Sequence, residues 1–195
     1  MNFLGHLYFS NNDHELMYAN LFGDHIKGSQ LDKFPSSVKK GILLHRKIDY
    51  FIDHHPAVIG LLHMLYHELP KVAGIAVDLY FDHLLAVNWN KYHTKDLDEF
   101  LVEFYTYVPN NWNHYSKDFQ ILIGNMRKYR WMNYYAKFEG LEKASEGVSS
   151  RISFENKLKD APAIFLKHRT EIESSFSAFM KDAIPMFEKL NLEKD

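Results

Sequence analysis

The helix predicted over residues 36–55 carries three side chains that could do chemistry. His45, Asp49 and Asp53 follow one another at intervals of four residues, so they form one polar stripe beside the apolar positions of the helix. Imidazole and carboxylate groups on one helix face can bind a divalent metal ion or transfer protons. The alternative is a surface pair of His45 with Asp49 that stabilises the helix by roughly 0.2–0.5 kcal/mol.

A second segment brings acidic groups into the predicted core. Residues 72–87 read VAGIAVDLYFDHLLAV, and a helix that is apolar on nearly every side is normally buried. Asp78 and Asp82 stand four residues apart in it, so both carboxylates emerge from one face. Buried carboxylates need a basic partner or a bound metal ion. An ion pair with Arg46 or Arg151 is one interpretation, but the rest of the chain favours a metal.

Further polar pairs add potential ligands of the same kinds. Asn2 and His6 stand at i, i+4, as do Asn20 and Asp24, and His83 directly follows an aspartate of the apolar segment. Helical bundles build metal sites from side chains on facing helices in this way. Oxygen and imidazole donors without thiolates suit Mn²⁺, Mg²⁺, Fe²⁺ or Zn²⁺, so the sequence predicts a divalent metal site and leaves the metal open.

Helical spacing accounts for almost the whole chain, and no run alternates convincingly with period two. We predict a short helix from Asn2 and then helices over residues 13–25, 36–55, 56–67, 70–87, 96–109, 113–138, 140–148, 153–168 and 169–190. Asp13 is the predicted cap of the second helix, and Pro56 ends the third because proline disfavours helix at the residue before it. The predicted fold class is an all-α, single-domain, non-repetitive helical bundle over residues 1–195.

An aromatic group recurs at helical spacing in the second half of the chain. It consists of Tyr129, Trp131, Tyr134, Tyr135 and Phe138. Large aromatic side chains contribute more often to a core than to the wall of a ligand pocket, so we predict that this group is packed in the core.

Composition limits what else the chain could do. A net charge of −2 gives no general attraction to nucleic acid or to anionic membranes. The absence of cysteine excludes disulfides and thiolate zinc sites. The N-terminal segment has no basic and apolar regions of a secretory signal, and no segment approaches the roughly 18–20 apolar residues of a membrane span. We therefore expect a cytoplasmic protein that binds neither nucleic acid nor membrane.

Several spaced motifs resemble one known family in the same order along the chain. They are NFLGHL at 2–7, Gly23-Asp24 with Gly28, Phe34-Pro35, GILLHRKIDYFID at 41–53 with Pro56, DLYFDHLL at 78–85 and, more weakly, SSRISFENKLKDA at 149–161. Together these resemble the acyl carrier protein phosphodiesterases, also called acyl carrier protein hydrolases. The likeness covers most of the chain, but its specific motifs lie in the first 85 residues.

The resemblance implies an all-helical hydrolase, distantly akin to the HD-domain phosphohydrolases and associated with Mn²⁺. Its reaction removes 4′-phosphopantetheine from holo acyl carrier protein and leaves the apo protein. The family's motif residues correspond here to Asn2, His6, Asp24, His45, Arg46, Asp49, Asp53, Asp78, Asp82 and His83. This chain departs from the HD pattern because residues 53–54 and 82–83 both read Asp-His and no His-Asp pair occurs.

Metal-assisted phosphodiester hydrolysis suggests a role for each of these residues. The hypothesised metal ligands are Asp24, His45, Asp49 and Asp82. His6 and His83 would be a further ligand or the general acid, and Arg46 would clamp a phosphate oxygen. The supporting polar network would consist of Asn2, Asp53 and Asp78.

An acidic carrier protein is the partner that the resemblance implies. Lys39, Lys40 and Lys47 form a basic edge that would speed association with it, and a solvated helix face is the alternative. Two other function classes stay open. One is a metal-dependent phosphohydrolase for a nucleotide or another small phosphoester, and the other is a non-catalytic helical binding module.

Overall fold

The computed structural model describes residues 1–192, with side chains through Leu190, and these residues form eleven α-helices and no strand. The helices are α1 (Phe3–Tyr8), α2 (His14–Phe22), α3 (Ser36–His54), α4 (Pro56–Leu65), α5 (Ala73–Val87), α6 (Trp89–Tyr92), α7 (Leu97–Thr106), α8 (Lys117–Tyr129), α9 (Phe138–Ser149), α10 (Ala161–Lys167) and α11 (Arg169–Leu192). The predicted all-α class is confirmed. In the described range no helix is both long and apolar enough to cross a membrane.

Local sequence signals set several helix boundaries. Asp13 precedes α2, and its side chain accepts a hydrogen bond from the backbone N–H of Leu16 at 3.1 Å, which confirms the predicted cap. His55 is extended, with φ −72° and ψ 126°, because proline follows it and disfavours helical backbone at that position. Pro56 then opens α4, where its missing N–H removes no helical hydrogen bond.

Two predicted helices differ from the structure because the backbone takes a left-handed conformation. The apolar helix α5 begins at Ala73, later than predicted, since Lys71 has a φ of 66°. The helix predicted over 113–138 is interrupted because Arg130, with φ 47°, ends α8 after Tyr129. A left-handed residue at this position is a common way for a helix to end.

The helix predicted over 153–168 is reduced to a 3₁₀ turn at Leu158–Asp160 followed by α10. Asn156 accounts for the difference. Its Oδ1 accepts hydrogen bonds from Ser149 Oγ at 2.8 Å and from the backbone N–H of Leu158 at 3.1 Å, while its amide donates to two carbonyls. These local bonds satisfy the backbone in a loop and so compete with helix.

Helix α5 lies at the centre of the bundle, where it contacts α1, α4, α9 and α11. Every residue from Leu79 to Ala86 is buried, which confirms the burial that the sequence predicted for this helix. Tyr80 donates its hydroxyl to the carbonyl of Ala161 at 2.7 Å. The polar atom of a fully buried tyrosine is thereby satisfied.

Helices α2 and α3 make the most extensive contact, and two glycines permit it. A Cβ atom on Gly41 would overlap the side chain of Ala19, and a Cβ atom on Gly23 would overlap the side chain of His45. Any larger residue at either position would separate the two elements. The close approach brings the C-terminal end of α2 beside His45 and Asp49 of α3.

Candidate active site

The carboxylate of Asp49 lies between two imidazole rings. Its Oδ1 is 3.3 Å from Nε2 of His6 on α1, and its Oδ2 is 3.1 Å from Nε2 of His45 on α3. The two rings stack with their centroids 4.3 Å apart. One potential ligand atom from each of the three residues lies within 4.8 Å of the others, so the group could hold a metal ion. His45 is buried and the side chain of Asp49 is 46% exposed, so the pair is not a fully solvated surface pair.

Hydrogen bonds around Asn20 fix which nitrogen of His6 carries the proton. Asn20 Nδ2 donates to the backbone oxygen of His6 at 2.9 Å and to Ser10 Oγ at 3.0 Å, which uses both amide protons. Its Oδ1 therefore accepts a hydrogen bond from His6 Nδ1, 3.0 Å away. In the neutral ring the Nε2 lone pair then lies on the side of Asp49.

The protonation states of these groups are those that bind a metal. Burial lowers the pKa of His6, so its ring is neutral at neutral pH. Burial acts to raise the pKa of Asp49, but hydrogen bonding, above all with His45, outweighs burial and holds that pKa below its usual range. A lone pair and an ionised carboxylate 3.3 Å apart repel each other, and a shared cation removes that repulsion.

His45 adds a second sign that protein hydrogen bonds alone do not satisfy this group. Its Nδ1 atom is buried and has no hydrogen-bond partner in the part of the chain that the structure describes. Buried polar atoms in proteins generally have hydrogen-bond partners. The donor set, two imidazoles and a carboxylate, fits a divalent metal of the kind that the sequence predicted.

A cavity of about 470 Å³ opens onto the group of His6, His45 and Asp49. Three further carboxylates line it, from Asp24, Asp53 and Asp78, together with the side chains of Asn2 and Arg151. The carboxylates concentrate negative charge in one place, so a phosphate could enter only with cations to offset that charge. This cavity therefore combines the requirements of a metal site and of a phosphate site.

Two of these lining carboxylates have distinct surroundings. Asp78 accepts a hydrogen bond from the N-terminal ammonium group of Met1 at 2.8 Å, so it pairs with neither of the arginines considered from the sequence. Burial, followed by the charges of Asp78 and Asp49, raises the pKa of Asp53. Asp53 is therefore a weaker acid in this cavity than a free aspartate would be.

Asp82 faces away from this cavity and holds helix α1. Its two oxygens accept hydrogen bonds from the backbone N–H groups of Leu4 at 2.8 Å and Gly5 at 3.0 Å. The residue is 1% exposed, and burial raises the pKa of its carboxyl to about 7. Because both oxygens already accept hydrogen bonds outside the cavity, the placement does not support the hypothesised role of Asp82 as a metal ligand. Its contacts instead position the helix that carries His6.

His83 also lies outside the cavity. Its Nδ1 donates a hydrogen bond to the carbonyl of Tyr135 at 2.7 Å, and its ring lines a separate, much smaller cavity with Asp82 and Tyr135. Burial lowers its pKa. The structure therefore does not bring His83 together with His6 and Asp49, and it gives no support to the general-acid role.

Arg46 anchors a loop instead of facing the cavity. Its Nη2 donates to the carbonyls of Ile26 at 3.2 Å and Gly28 at 2.6 Å, in the segment before α3. The guanidinium that does line the cavity belongs to Arg151, whose Nε donates to the carbonyl of Gly147 at 3.0 Å. The phosphate clamp that the sequence assigned to Arg46 is therefore better placed at Arg151.

The three lysines of the predicted basic edge lie on α3, the helix that carries His45 and Asp49. Lys39 forms an ion pair with Asp32 at 2.9 Å, and Lys40 and Lys47 are exposed. None of the three lines the cavity. They could meet an approaching protein, but they do not contact the group that would do the chemistry.

The aromatic group predicted for the core is only partly buried. Tyr135 is 7% exposed, whereas Tyr129 and Tyr134 are 59% and 47% exposed, so the prediction was wrong for these two residues. Trp131, Tyr134 and Tyr135 line a second cavity of about 250 Å³ with Phe3. The left-handed Arg130 ends α8 and turns the following residues out of the helix that the sequence suggested.

Sequence reasoning underestimated two residues of this site. Asn20 was noticed only for its spacing from Asp24, because its hydrogen bond to His6 depends on how α1 packs against α2. Arg151 was considered only as an ion-pair partner of Asp78 or Asp82 and as part of the weaker C-terminal likeness. No local pattern shows that residues so far apart line one cavity.

Comparison with known proteins identifies relatives over most of the chain. A family model described as acyl carrier protein phosphodiesterase matches residues 1–183. Proteins named acyl carrier protein phosphodiesterase are similar to it in Photorhabdus laumondii (28% identity over 152 residues, 77% of each chain) and Enterobacter sp. strain 638 (27% over 183 residues, 92% of this chain and 93% of the relative). One from Escherichia coli O6:K15:H31 is 28% identical over 183 residues, with the same coverage. No solved structure gives a significant match, so the likeness to HD-domain proteins stays a prediction.

Proposed function

Because this chain belongs to the acyl carrier protein phosphodiesterase family and is therefore an enzyme, we propose that it hydrolyses holo acyl carrier protein to the apo protein and 4′-phosphopantetheine. The relatives' names supply the carrier protein and the phosphodiester chemistry. The proposal includes the cytoplasmic location expected from the sequence. Its products and its metal requirement are inferences from the resemblance and from the geometry of the site.

The observation that carries the proposal is the convergence of His6, His45 and Asp49 in a cavity lined by carboxylates. Phosphodiesters are anions, and their hydrolysis needs a nucleophile together with stabilisation of growing negative charge. A cavity of carboxylates alone would repel such a substrate. The same cavity with a bound cation would attract it, which is why this arrangement favours metal-assisted hydrolysis.

The residues that would hold the ion are His6 through Nε2, His45, Asp49 and, from the wall of the cavity, Asp24. A bound divalent metal lowers the pKa of a water molecule and polarises a phosphoryl oxygen. Mn²⁺ is the first metal to test because the resemblance implies it. Mg²⁺, Fe²⁺ and Zn²⁺ suit the same donor set.

The remaining side chains would bind the substrate and move one proton. We assign Arg151 to a non-bridging phosphate oxygen, because a guanidinium pairs well with phosphate and this one lines the cavity. Water adds to phosphorus and the bond from phosphorus to the serine oxygen breaks. Asp53 would donate a proton to this oxygen and take up the proton that the water loses, because it lines the cavity and its surroundings raise its pKa.

The proposed partner is the acidic carrier protein, which would approach along the basic edge of α3. Lys40 and Lys47 are exposed there, on the helix that also carries His45 and Asp49. Charges of this kind mainly raise the association rate and make it sensitive to salt. A small phosphoester as substrate would show neither effect.

Mass spectrometry of purified holo carrier protein tests the proposal. With Mn²⁺ we expect the wild-type enzyme to remove the phosphopantetheine mass, and we expect Asp49→Asn to lose at least 100-fold in rate. Asp182→Asn is the matched control, because Asp182 also contacts a buried histidine, His55 at 3.2 Å, but lies outside the cavity. An unchanged carrier protein, with turnover of a small phosphodiester, would instead establish the small-molecule alternative.

A further inference from the structure

The aromatic cavity adjoins the cavity of the proposed reaction. Both are lined by Asn2, Phe3, Val148 and Arg151, so these residues form the boundary where the two spaces meet. The larger cavity has the carboxylates and imidazoles. A ligand that extends past Arg151 would therefore have one end among charged groups and the other among aromatic rings.

The chemistry of the lining changes across this boundary. Aromatic and aliphatic groups dominate the second cavity, with walls from Phe3, Trp131, Tyr134 and Tyr135. Among the described residues, the only charged side chains that line it are those of Lys143 and Arg151, and no carboxylate does. Cavities of this kind bind ligands that combine apolar groups with a few hydrogen-bonding groups.

We propose that the aromatic cavity holds the pantetheine arm of the substrate while the phosphodiester lies beside the group of His6, His45 and Asp49. This inference rests on the proposed function. The arm is uncharged, and it carries a gem-dimethyl group and two amides in series, which matches apolar walls with polar groups at the rim. Asn2 lines the boundary, and its side chain makes no capping hydrogen bond to α1. Its amide can therefore bond to the arm.

Packing holds the walls of this cavity in place. The rings of Phe3 and Trp131 lie 6.3 Å apart, which joins α1, the helix of His6, to the 3₁₀ turn Trp131–Tyr134. Gly140 of α9 lies so close to the same turn that a Cβ atom there would overlap the carbonyl of Tyr134. The cavity is thus bounded by elements in direct contact rather than by a single exposed loop.

A glycine on the cavity wall offers a test that leaves the fold intact. Gly147 of α9 lines the aromatic cavity, and a Cβ atom there would meet no atom within 4 Å. Gly147→Met would place a side chain in the space assigned to the arm. Gly60→Met in α4 is the matched control, since Gly60 is equally open and lines neither cavity. Replacing glycine within a helix does not lower helix propensity at either position.

The experiment compares holo carrier protein with bis(4-nitrophenyl) phosphate, a diester that has no pantetheine arm. For Gly147→Met we expect kcat/KM for holo carrier protein, divided by kcat/KM for the armless diester, to fall at least tenfold. The fall should come mainly from a higher KM for the carrier protein. We expect Gly60→Met to keep the wild-type ratio. An unchanged ratio and KM in Gly147→Met would overturn the assignment of the cavity.

Titration with pantetheine, followed by tryptophan fluorescence, separates this inference from the proposed function. Trp131 lines the cavity, so we expect saturable quenching in the wild type and at least tenfold weaker binding in Gly147→Met. Failure to hydrolyse holo carrier protein would contradict the proposed function. Absence of pantetheine binding to a folded wild-type enzyme, or equal binding to Gly147→Met, would contradict the assignment of the arm.

Discussion

At the scale of single residues, the chemistry of the site depends on neighbouring side chains that orient the proposed metal ligands. Asn20 uses its whole amide on His6 and Ser10, and in doing so leaves Nε2 of His6 free of a proton on the side of Asp49. Such partners commonly contribute 10–100-fold to metal affinity or activity. His6 is therefore held in its metal-binding tautomer before any ligand arrives.

Replacing Asn20 should weaken metal binding without removing a ligand. For Asn20→Ala we expect Mn²⁺ affinity, measured by isothermal titration calorimetry, to fall roughly 10–100-fold, because His6 loses the acceptor that fixes its tautomer. Asn88→Ala is the control, since Asn88 donates from Nδ2 to the carbonyl of Leu84 in α5 and does not line the cavity. Equal Mn²⁺ affinity in Asn20→Ala and wild type would show that the amide does not orient His6.

Asp82 should give stability a distinctive dependence on pH. Burial raises the pKa of Asp82 to about 7, above its ordinary value of 3.8. Between these two values the folded protein binds a proton that the unfolded chain has released, so this group makes stability fall as pH rises through that window. We expect urea unfolding between pH 4.5 and 7.5 to show this decline in the wild type and a flatter dependence in Asp82→Asn.

The same variant distinguishes a structural role from a catalytic one. An amide at position 82 would turn an N–H group toward a backbone N–H of Leu4 or Gly5, and an unsatisfied buried group costs about 1–3 kcal/mol. We therefore expect a lower melting temperature. Unchanged stability together with lost Mn²⁺ binding would restore Asp82 as a metal ligand.

At the scale of the elements, the site exists because three helices meet closely. Helix α1 supplies His6, α2 supplies Asn20, and α3 supplies His45 and Asp49. Gly41 of α3 lies against α2 with no room for a side chain. The distance between α2 and α3 is therefore part of the geometry of the site.

Widening this contact should reduce both stability and activity. For Gly41→Ala we expect a loss of about 1–3 kcal/mol in the free energy of unfolding, because the new methyl group would overlap Ala19 and its backbone. Gly60→Ala, on an open helix surface, should instead stabilise by about 0.5–1 kcal/mol. Chemical unfolding measures both, and a stabilising effect of Gly41→Ala would contradict the tight packing of α2 on α3.

The sequence allowed the helices and half of this site to be predicted, for identifiable reasons. His45 and Asp49 share one helix face, so their spacing alone indicated a pair. The hydrogen bonds of Asp82 could not be predicted, because i, i+4 spacing to Asp78 does not reveal that α1 places two backbone N–H groups on its carboxylate. The left-handed Arg130 was missed because its side chain gives no sign of φ 47°. Long-range packing decides all such cases.

At the scale of the whole molecule, charge is distributed unevenly although the net charge is only −2. The cavity concentrates carboxylates, whereas exposed lysines of α3 lie outside it. This separation suits an acidic protein that docks on the surface while its phosphodiester reaches the cavity. The exposed lysines of α3 would then mainly affect the rate of association, and the group of His6, His45 and Asp49 would affect the rate of the chemical step.

Charge reversal on α3 should slow the reaction with the carrier protein but not the reaction with a small diester. For Lys40→Glu with Lys47→Glu we expect kcat/KM for holo carrier protein at low salt to fall roughly tenfold, because steering by charge is lost. Lys181→Glu with Lys189→Glu on α11 changes the net charge equally and is the control. Stopped-flow kinetics at low and high salt would show the difference shrinking with salt. The same loss for bis(4-nitrophenyl) phosphate would contradict docking at this edge.

The central claim is that His6, His45 and Asp49 form a metal site at which holo carrier protein is hydrolysed. The most direct test follows the mass of the carrier protein after the enzyme is stripped with chelator and then supplied again with Mn²⁺. We expect no loss of phosphopantetheine in the stripped enzyme and full recovery with Mn²⁺ in the wild type, but no recovery in His45→Ala. Undiminished turnover by the stripped enzyme, or full recovery in His45→Ala, would contradict the claim.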